Sequence, residues 1–301
     1  MGWRILQITK PCKLSVKNSQ LCYETLEDSQ SVKLPLEDIS VIILEHQQIL
    51  LNNALITRLA EYNIVVFNCG EQHLPEAVFF PFHNHSRYSE IAWIQIASSE
   101  PLKKRLWQEI VKAKIINQAD CLKECGKENV HKLKEIAKQV QSGDAKNSEA
   151  FAASIYWKSL LNNFNRHDES DIRNAALNYG YAIIRGAMAR AVVGAGLLPC
   201  FGIHHTNKLN QFNLVDDLIE PLRPFVDYAV FNMNFENVTT LTVTIKNQLV
   251  AILTHNVLFD NEEISLLKIM ELEAQSIVKA FKEKDTKQLK LPLFKKFPLF
   301  D

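Results

Sequence analysis

The spacing of the apolar residues changes near residue 83 of this 301-residue chain, and that change limits the possible folds more than any other feature. Before it, apolar residues alternate with polar ones or form short runs such as ISVIIL at 39–44 and IVVF at 64–67, a pattern typical of strands. After it, they recur about every three or four residues, as in amphipathic helices. We therefore predict an α+β fold, with a β-rich domain at residues 1–82 followed by a mostly α-helical domain at residues 83–301.

Four local patterns in the second domain predict individual elements. Asp171 is placed to cap a long helix that runs to about residue 192, and Asn213 to cap a helix over residues 214–227. Residues 237–254 contain LTVTI and LVAIL on either side of turn residues, which predicts a hairpin. A final helix is expected over about residues 262–282.

The charge of the chain is balanced as a whole but uneven along its length. There are 34 basic and 34 acidic side chains, yet residues 1–80 carry 6 and 9, residues 101–140 carry 10 and 5, and residues 279–301 carry 7 and 3. The two basic segments are compatible with contacts to DNA phosphates, and equally with solvated helix faces. If these segments bind DNA, the side chains that would contribute phosphate contacts are Lys103, Lys104, Arg105, Lys112, Lys114, Lys287, Lys290, Lys295 and Lys296.

Nothing in the sequence predicts a membrane protein or a secreted one. The longest uncharged apolar stretch, residues 191–203, is interrupted by three glycines and a proline, whereas a membrane span needs about 20 apolar residues. The first ten residues lack the apolar core of a signal peptide. Six scattered cysteines are typical of unpaired thiols, so we expect a cytoplasmic protein.

The densest group of chemically versatile side chains lies in GIHHTNKLNQFNLVDDLIEPLRP at 202–224. On a helix, Glu220 shares a face with Asp216 at i, i+4 spacing and with Asp217 at i, i+3 spacing. Carboxylates so close repel one another unless a cation or protons are present, and oxygen ligands with one imidazole suit Mg²⁺ or Mn²⁺. A solvated acidic face beside the hydrogen-bonded pair His204 and His205 remains an equal alternative.

A further acid, Glu149, lies in GDAKNSEAFAASIYW, and its local context alone favours a surface residue in the first turn of a helix. This segment gains significance beside two others, RNAALNYGYAIIRGAMARAVVGAGLLPCFGIHH and FNLVDDLIEPLRPFVD. Together they resemble the CRISPR-associated spacer integrase, the large metal-dependent subunit of the CRISPR adaptation complex, in its type II form. The resemblance covers nearly the whole chain.

The resemblance implies a function and a site. The family's metal ligands fall on Glu149, His205 and Glu220, which are therefore the expected catalytic and metal-binding residues, with Mg²⁺ or Mn²⁺ as the cofactor. His204 and Asp217 are expected to support those ligands. The implied reaction is attack of a DNA fragment's 3′-hydroxyl on a phosphodiester of the CRISPR array, which inserts the fragment for antiviral defence. The same site would give endonuclease activity.

The resemblance also implies an assembly. The β-rich domain would form a homodimer, and two homodimers would be bridged by a dimer of a small partner subunit, giving a heterohexamer that holds double-stranded DNA. No membrane is implied.

Two other functions can be read from the residues. His167-Asp168 resembles the doublet of helical metal-dependent phosphohydrolases, for which His131 and Asp227 could supply the remaining ligands. A non-catalytic DNA-binding scaffold would account for the basic segments but leaves the grouped carboxylates unexplained.

Overall fold

The computed structural model describes residues 4–26, 31–71, 73–79, 85–260 and 262–297. It divides into two compact units, Met1–His83 and Asn84–Asp301. The first contains strands and the second is mostly helical, which confirms the predicted α+β class. Residues 80–84, where the sequence predicts the boundary, lie outside the described residues. The roles assigned to the two domains, dimerisation and catalysis, stay predictions.

The first unit contains two four-stranded sheets with one helix. Its elements are β1 (Arg4–Ile8), β2 (Cys12–Lys17), β3 (Gln20–Thr25), β4 (Ser31–Pro35), β5 (Ile39–Leu44), β6 (Ile49–Leu51), α1 (Asn53–Glu61), β7 (Val65–Cys69) and β8 (Pro75–Phe79). One sheet has the order β1-β5-β7-β8, and the other has the order β4-β3-β2-β6. Every residue of β5 is buried, as its continuous apolar run predicts. Leu14, Ile42 and Leu55 belong to one apolar core that draws on both sheets and α1.

The second unit packs its helices around the long helices α3 and α6. Its elements are α2 (Tyr88–Ile96), α3 (Glu100–Glu124), α4 (Val130–Lys138), α5 (Ser148–Leu160), α6 (Ile172–Gly194), α7 (Asn213–Leu218), α8 (Arg223–Phe231), α9 (Val243–Ala251), β9 (Asn256–Phe259), β10 (Glu262–Ser265) and α10 (Leu266–Glu283). The predicted Asp171 cap is present, since its side chain accepts from the backbone N–H of Arg173 at 2.9 Å. No helix within the described ranges combines the length and apolar character of a membrane span.

The hairpin predicted at residues 237–254 is wrong, because this segment contains α9. Thr242 caps that helix by accepting from the N–H of Ile245, and Ile245 and Leu249 then lie four residues apart on its buried side. The alternating letters hid a helical spacing. The hairpin comes one element later, as β9 and β10, so α10 begins at Leu266 rather than near residue 262.

The single helix predicted over residues 214–227 is also wrong. The segment breaks into α7, a 3₁₀ turn at Glu220–Leu222, and α8. Pro221 and Pro224 have no N–H for a helical hydrogen bond, which explains the break. Asn213 does not cap α7; its amide donates to the carbonyls of Cys200, Asn207 and Asn210 and holds the preceding loop.

Candidate active site

Glu149 and Glu220 converge on the buried ammonium of Lys114. Lys114 Nζ lies 2.5 Å from Glu149 Oε1 and 2.5 Å from Glu220 Oε2, so these two carboxylate oxygens are at most 5.0 Å apart. The exposed fraction of the Lys114 side chain is 11% and that of Glu220 is 7%. The fold thus brings together two of the three predicted metal ligands from positions 71 residues apart in the sequence.

Burial and ion pairing act in opposite directions on these groups. Burial raises the pKa of Glu220, but Lys114 and Arg223 outweigh it and hold the pKa below its usual range. Burial likewise lowers the pKa of Lys114, and the two glutamates outweigh it and raise that pKa. Glu220 and Lys114 are therefore both charged at neutral pH.

Glu149 is positioned by the start of α5. Asn147, the residue before the helix, has a left-handed backbone, so the cap comes from Asp144 instead. Asp144 accepts from the N–H of Ser148 at 2.8 Å and from the N–H of Glu149 at 3.0 Å. This fixes the first turn of α5, where a carboxylate also interacts favourably with the helix dipole.

Glu220 is held by the 3₁₀ turn between α7 and α8. Its second oxygen, Oε1, accepts from Arg223 Nε at 2.8 Å. Behind the turn, the buried amide of Asn117 on α3 donates to Pro221 O at 2.7 Å and to Pro292 O at 2.9 Å. One buried side chain therefore joins the Glu220 turn to the segment that follows α10.

His205 lies in the loop before α7 and is oriented by Asp217. The fully buried Asp217 carboxylate accepts from the backbone N–H groups of Ile203, His204 and His205 at 2.5–3.1 Å. It also lies 2.7 Å from His205 Nδ1, and this hydrogen bond raises the pKa of His205. Within this loop, the backbone of Gly202 lies so close to that of His205 that a Cβ on Gly202 would be 2.2 Å from His205 O.

Trp107 of α3 supports the same loop. Its buried indole stacks on His204 with ring centroids 4.3 Å apart, and the His205 ring meets it edge-on at 5.8 Å. Trp107 and Lys114 are seven residues apart, two helical turns, so α3 presents both to the same side.

An arginine-rich cleft of about 400 Å³ adjoins Glu220 and His205. Arg166, Arg185 and Arg223 line it. Arg185 is clamped by Asp216 at 2.6 and 2.9 Å, and Arg223 lies over the Tyr181 ring at 4.6 Å. Guanidinium groups fixed in this way suit phosphate oxygens.

Several sequence predictions differ from this geometry. Among the described residues, no three His, Cys, Asp or Glu side chains are close enough to enclose a metal ion. Asp216 and Glu220 both line the cleft, but they do not lie on one continuous helix as predicted, because α7 ends at Leu218; Asp216 pairs with Arg185, and Glu220 pairs with Lys114 and Arg223. Lys114, named among the possible phosphate contacts, has a buried ammonium that is paired with two glutamates.

The phosphohydrolase alternative gains no support from the geometry. Asp168 is exposed and accepts from Ser170 in a local turn, and the His131 side chain is 90% exposed. Asp227 is enclosed by the hydroxyl groups of Tyr156 and Tyr181.

Sequence reasoning missed the central role of Lys114 and the cleft arginines, although a signal for Lys114 existed. Lys114 follows Ile110 by four residues and Val111 by three, which places it within the apolar stripe of α3. A lysine at such a position is buried only when it has charged partners.

Three comparisons place the chain among known proteins. Residues 6–256 match the family model described as CRISPR associated protein Cas1. The protein named CRISPR-associated endonuclease Cas1 from Neisseria meningitidis serogroup C (strain 8013) is 40% identical over 296 residues, covering 97% of this chain and 96% of the relative.

Two solved structures share the fold. A casposase bound to integration product matches with a TM-score of 0.77 at 17% identity, over 98% of this chain and 96% of that chain. A Cas6-RT-Cas1–Cas2 complex matches with a TM-score of 0.71 at 18% identity, over 97% of this chain and 36% of that chain.

Proposed function

This chain belongs to the Cas1 family of CRISPR-associated proteins, and we propose on that premise that Glu149, His205 and Glu220 form the divalent-metal site with which it cuts and joins DNA. Family membership confirms the resemblance drawn from the sequence. It makes the protein an endonuclease and integrase that inserts short DNA fragments into a CRISPR array. The type II form stays a prediction.

The observation that carries the metal site is the convergence of Glu149 and Glu220 on one cation. Two carboxylates on separate elements, at most 5.0 Å apart and paired with the same ammonium, suit a hard dication such as Mg²⁺ or Mn²⁺. His205, in the loop before α7, is the third proposed ligand: Asp217 binds Nδ1, which leaves the lone pair of Nε2 available. A carboxylate behind a ligating histidine is a common arrangement in metal sites. When bound, the metal supplies Lewis-acid polarisation of the scissile phosphate.

The other side chains act on the DNA itself. In the reaction, the 3′-oxygen of the incoming fragment bonds to phosphorus as the bond to the leaving 3′-oxygen of the array strand breaks. One proton is lost by the attacking hydroxyl and one is gained by the leaving oxygen. Arg166, Arg185 and Arg223 hold the phosphate oxygens in the cleft, because their guanidinium groups are fixed before DNA arrives. With water as the attacking group, the same site hydrolyses DNA.

The assembly proposed for the protein uses both units. The first unit has a net charge of −3 over residues 1–80 and exposed apolar side chains, including Leu50 and Phe79, so it suits a homodimer contact better than a DNA contact. The basic helical unit would bind double-stranded DNA. Two homodimers would join a dimer of a small partner subunit, and the solved Cas6-RT-Cas1–Cas2 complex supports such a partner because it combines Cas1 with Cas2. We propose a cytoplasmic location.

The test is integration of labelled fragments into a supercoiled, repeat-bearing plasmid, in the presence of the partner subunit and Mn²⁺. Glu149→Gln, Glu220→Gln and His205→Ala should each reduce strand transfer by about 10²–10³. Glu109→Gln, which changes an exposed acid on α3 paired with Lys112, is the matched control. Near-wild-type strand transfer by a folded variant would remove that residue from the site. A wild-type protein that binds DNA but never breaks or joins strands would favour the scaffold alternative.

A further inference from the structure

Each carboxylate oxygen of Glu220 lies beside a positively charged side chain. Its Oε1 accepts from Arg223 at 2.8 Å and its Oε2 lies 2.5 Å from Lys114. A divalent ion bound to Glu220 therefore meets a positive side chain on either oxygen. The proposed metal site and the observed ion pairs are in direct competition.

The two cations differ in how readily they can move. The Arg223 guanidinium lies over the Tyr181 ring at 4.6 Å, and its planar fork is fixed against Glu220. Lys114 has a flexible four-carbon stem and one ammonium group. That ammonium lies 2.5 Å from each glutamate, within the range of about 2.0–2.6 Å at which Mg²⁺ and Ca²⁺ bind oxygen. Lys114 and the metal therefore need the same space.

The charges at the site also favour exchange of one cation for another. Glu149 and Glu220 carry two negative charges, and Lys114 and Arg223 carry two positive charges, so the metal-free group is neutral. Without Lys114, the buried carboxylate of Glu220 and the half-buried carboxylate of Glu149 would repel each other. With Lys114 still in place, a dication would meet an ammonium at contact distance.

From this geometry we infer that Lys114 is an internal cation that occupies the metal position in the metal-free protein and is displaced when the divalent ion binds. Lys114 keeps Glu149 and Glu220 charged and close together, so that the ligands are arranged before metal arrives. It also weakens metal binding, because the ion must replace an existing partner. This inference rests on the proposed metal site at Glu149 and Glu220.

The experiment measures Mn²⁺ binding to metal-free, full-length protein by titration calorimetry and by the EPR signal of free Mn²⁺. Lys114→Met should bind Mn²⁺ about tenfold or more tightly than wild type, because a neighbouring charge shifts an ionic equilibrium by about 10- to 1000-fold. Its melting temperature should fall without metal and recover with Mn²⁺, so the metal-induced rise should exceed that of wild type. Lys112→Met, which removes a half-buried lysine paired with Glu109 on the same helix, should match wild type.

Two further variants keep the outcomes distinct. Lys114→Gln retains a donor for the carboxylates without the charge, and serves if the Met variant does not fold without metal. Glu220→Gln shows whether the measured ion occupies this site. Unchanged or weaker Mn²⁺ binding by both Lys114 variants overturns the inference, while loss of binding in Glu220→Gln keeps the proposed site intact. Mn²⁺ binding that is insensitive to Glu149→Gln and Glu220→Gln overturns both.

Discussion

Replacing Asp217 by Asn tests how the His205 loop is built. The Asp217 carboxylate accepts four N–H groups, two on each oxygen. An amide has only one acceptor oxygen, so two of the four donors lose their partner in either orientation. A buried donor without a partner costs about 1–3 kcal/mol, so Asp217→Asn should reduce the free energy of unfolding by about 2–6 kcal/mol. The lower end applies if the His205 ring changes tautomer and accepts from the new amide through Nδ1.

That tautomer change has a chemical consequence. A proton on Nε2 removes the lone pair through which His205 is proposed to bind metal. Loss of such a supporting carboxylate typically costs about 10–100-fold in metal affinity. The Mn²⁺ affinity of folded Asp217→Asn should therefore be lower than that of wild type, in addition to any loss caused by partial unfolding of the variant.

The pH dependence provides a second readout of the same change. The hydrogen bond to Asp217 raises the pKa of His205 in the folded state above the ordinary value of about 6.5. The stability it contributes is fully present below about pH 6.5 and is lost as the pH rises through the folded pKa. The stability gap between wild type and Asp217→Asn should consequently be widest at the acidic end of that window.

The assays are urea denaturation of the metal-free protein and NMR titration of His205. Both cover about pH 5.5 to 8.5, a range that includes the ordinary histidine pKa of about 6.5. Glu109→Gln is the control, because the Glu109 side chain is 42% exposed and forms an ion pair with Lys112, and such pairs contribute about 0–1 kcal/mol. The reasoning is refuted if Asp217→Asn changes stability by less than about 0.5 kcal/mol and leaves the His205 pKa unaltered.

Three further predictions concern groups outside the metal site. Burial, opposed by the Tyr181 and Tyr156 hydroxyls and by Arg223, raises the pKa of Asp227 from 3.8 to about 6. The contribution of Asp227 to the free energy of unfolding should fall by about 3 kcal/mol as the pH rises from about 4 to about 7. In urea denaturation, the stability of Asp227→Asn relative to wild type should therefore increase over this pH range. Within the described residues, neither oxygen of the buried Glu273 has a hydrogen-bond partner, and burial raises its pKa. Burial favours the protonated form of Glu273, so the folded wild type loses stability as the pH rises above the pKa of this group in the unfolded chain. At pH 8, Glu273→Met should therefore be more stable than wild type by about 1–3 kcal/mol in denaturant titration, and equal stability would contradict this. Phe297 is buried against Phe225, Tyr228 and His255, so Phe297→Ala should cost about 3–5 kcal/mol by calorimetry, whereas exposed Leu293→Ala should cost little.

The sequence predicted what depends on strong local patterns. The change of apolar spacing predicted the α+β order, and the run at Ile39–Leu44 predicted a fully buried strand. Asp171 predicted the start of α6, because an N-cap is a local interaction. The prediction for residues 237–254 was wrong because the apolar residues of the nine-residue helix α9 also fit the alternation of a strand. Only the cap provided by Thr242 distinguishes the helix from the strand.

The basic charge of residues 101–140 illustrates what local reasoning could not separate. Lys112 and Lys114 lie two residues apart on α3, with opposite surroundings. Lys112 pairs with its neighbour Glu109 near the surface, whereas Lys114 meets Glu149 and Glu220 from distant parts of the chain. Charge counts treat the two as equal, and only the tertiary fold determines that one of them is enclosed by carboxylates.

The three acids of residues 216–220 show how the fold resolves the repulsion that their spacing predicts. A continuous helix would leave Asp216 or Asp217 beside Glu220 on one face. Instead α7 ends at Leu218, and each acid has different partners: Asp216 binds Arg185, Asp217 binds the backbone of residues 203–205, and Glu220 binds Lys114 and Arg223. Each carboxylate thus fixes a different part of the site. Asp216 holds an arginine of the cleft, Asp217 orients His205, and only Glu220 meets Glu149 through a shared cation.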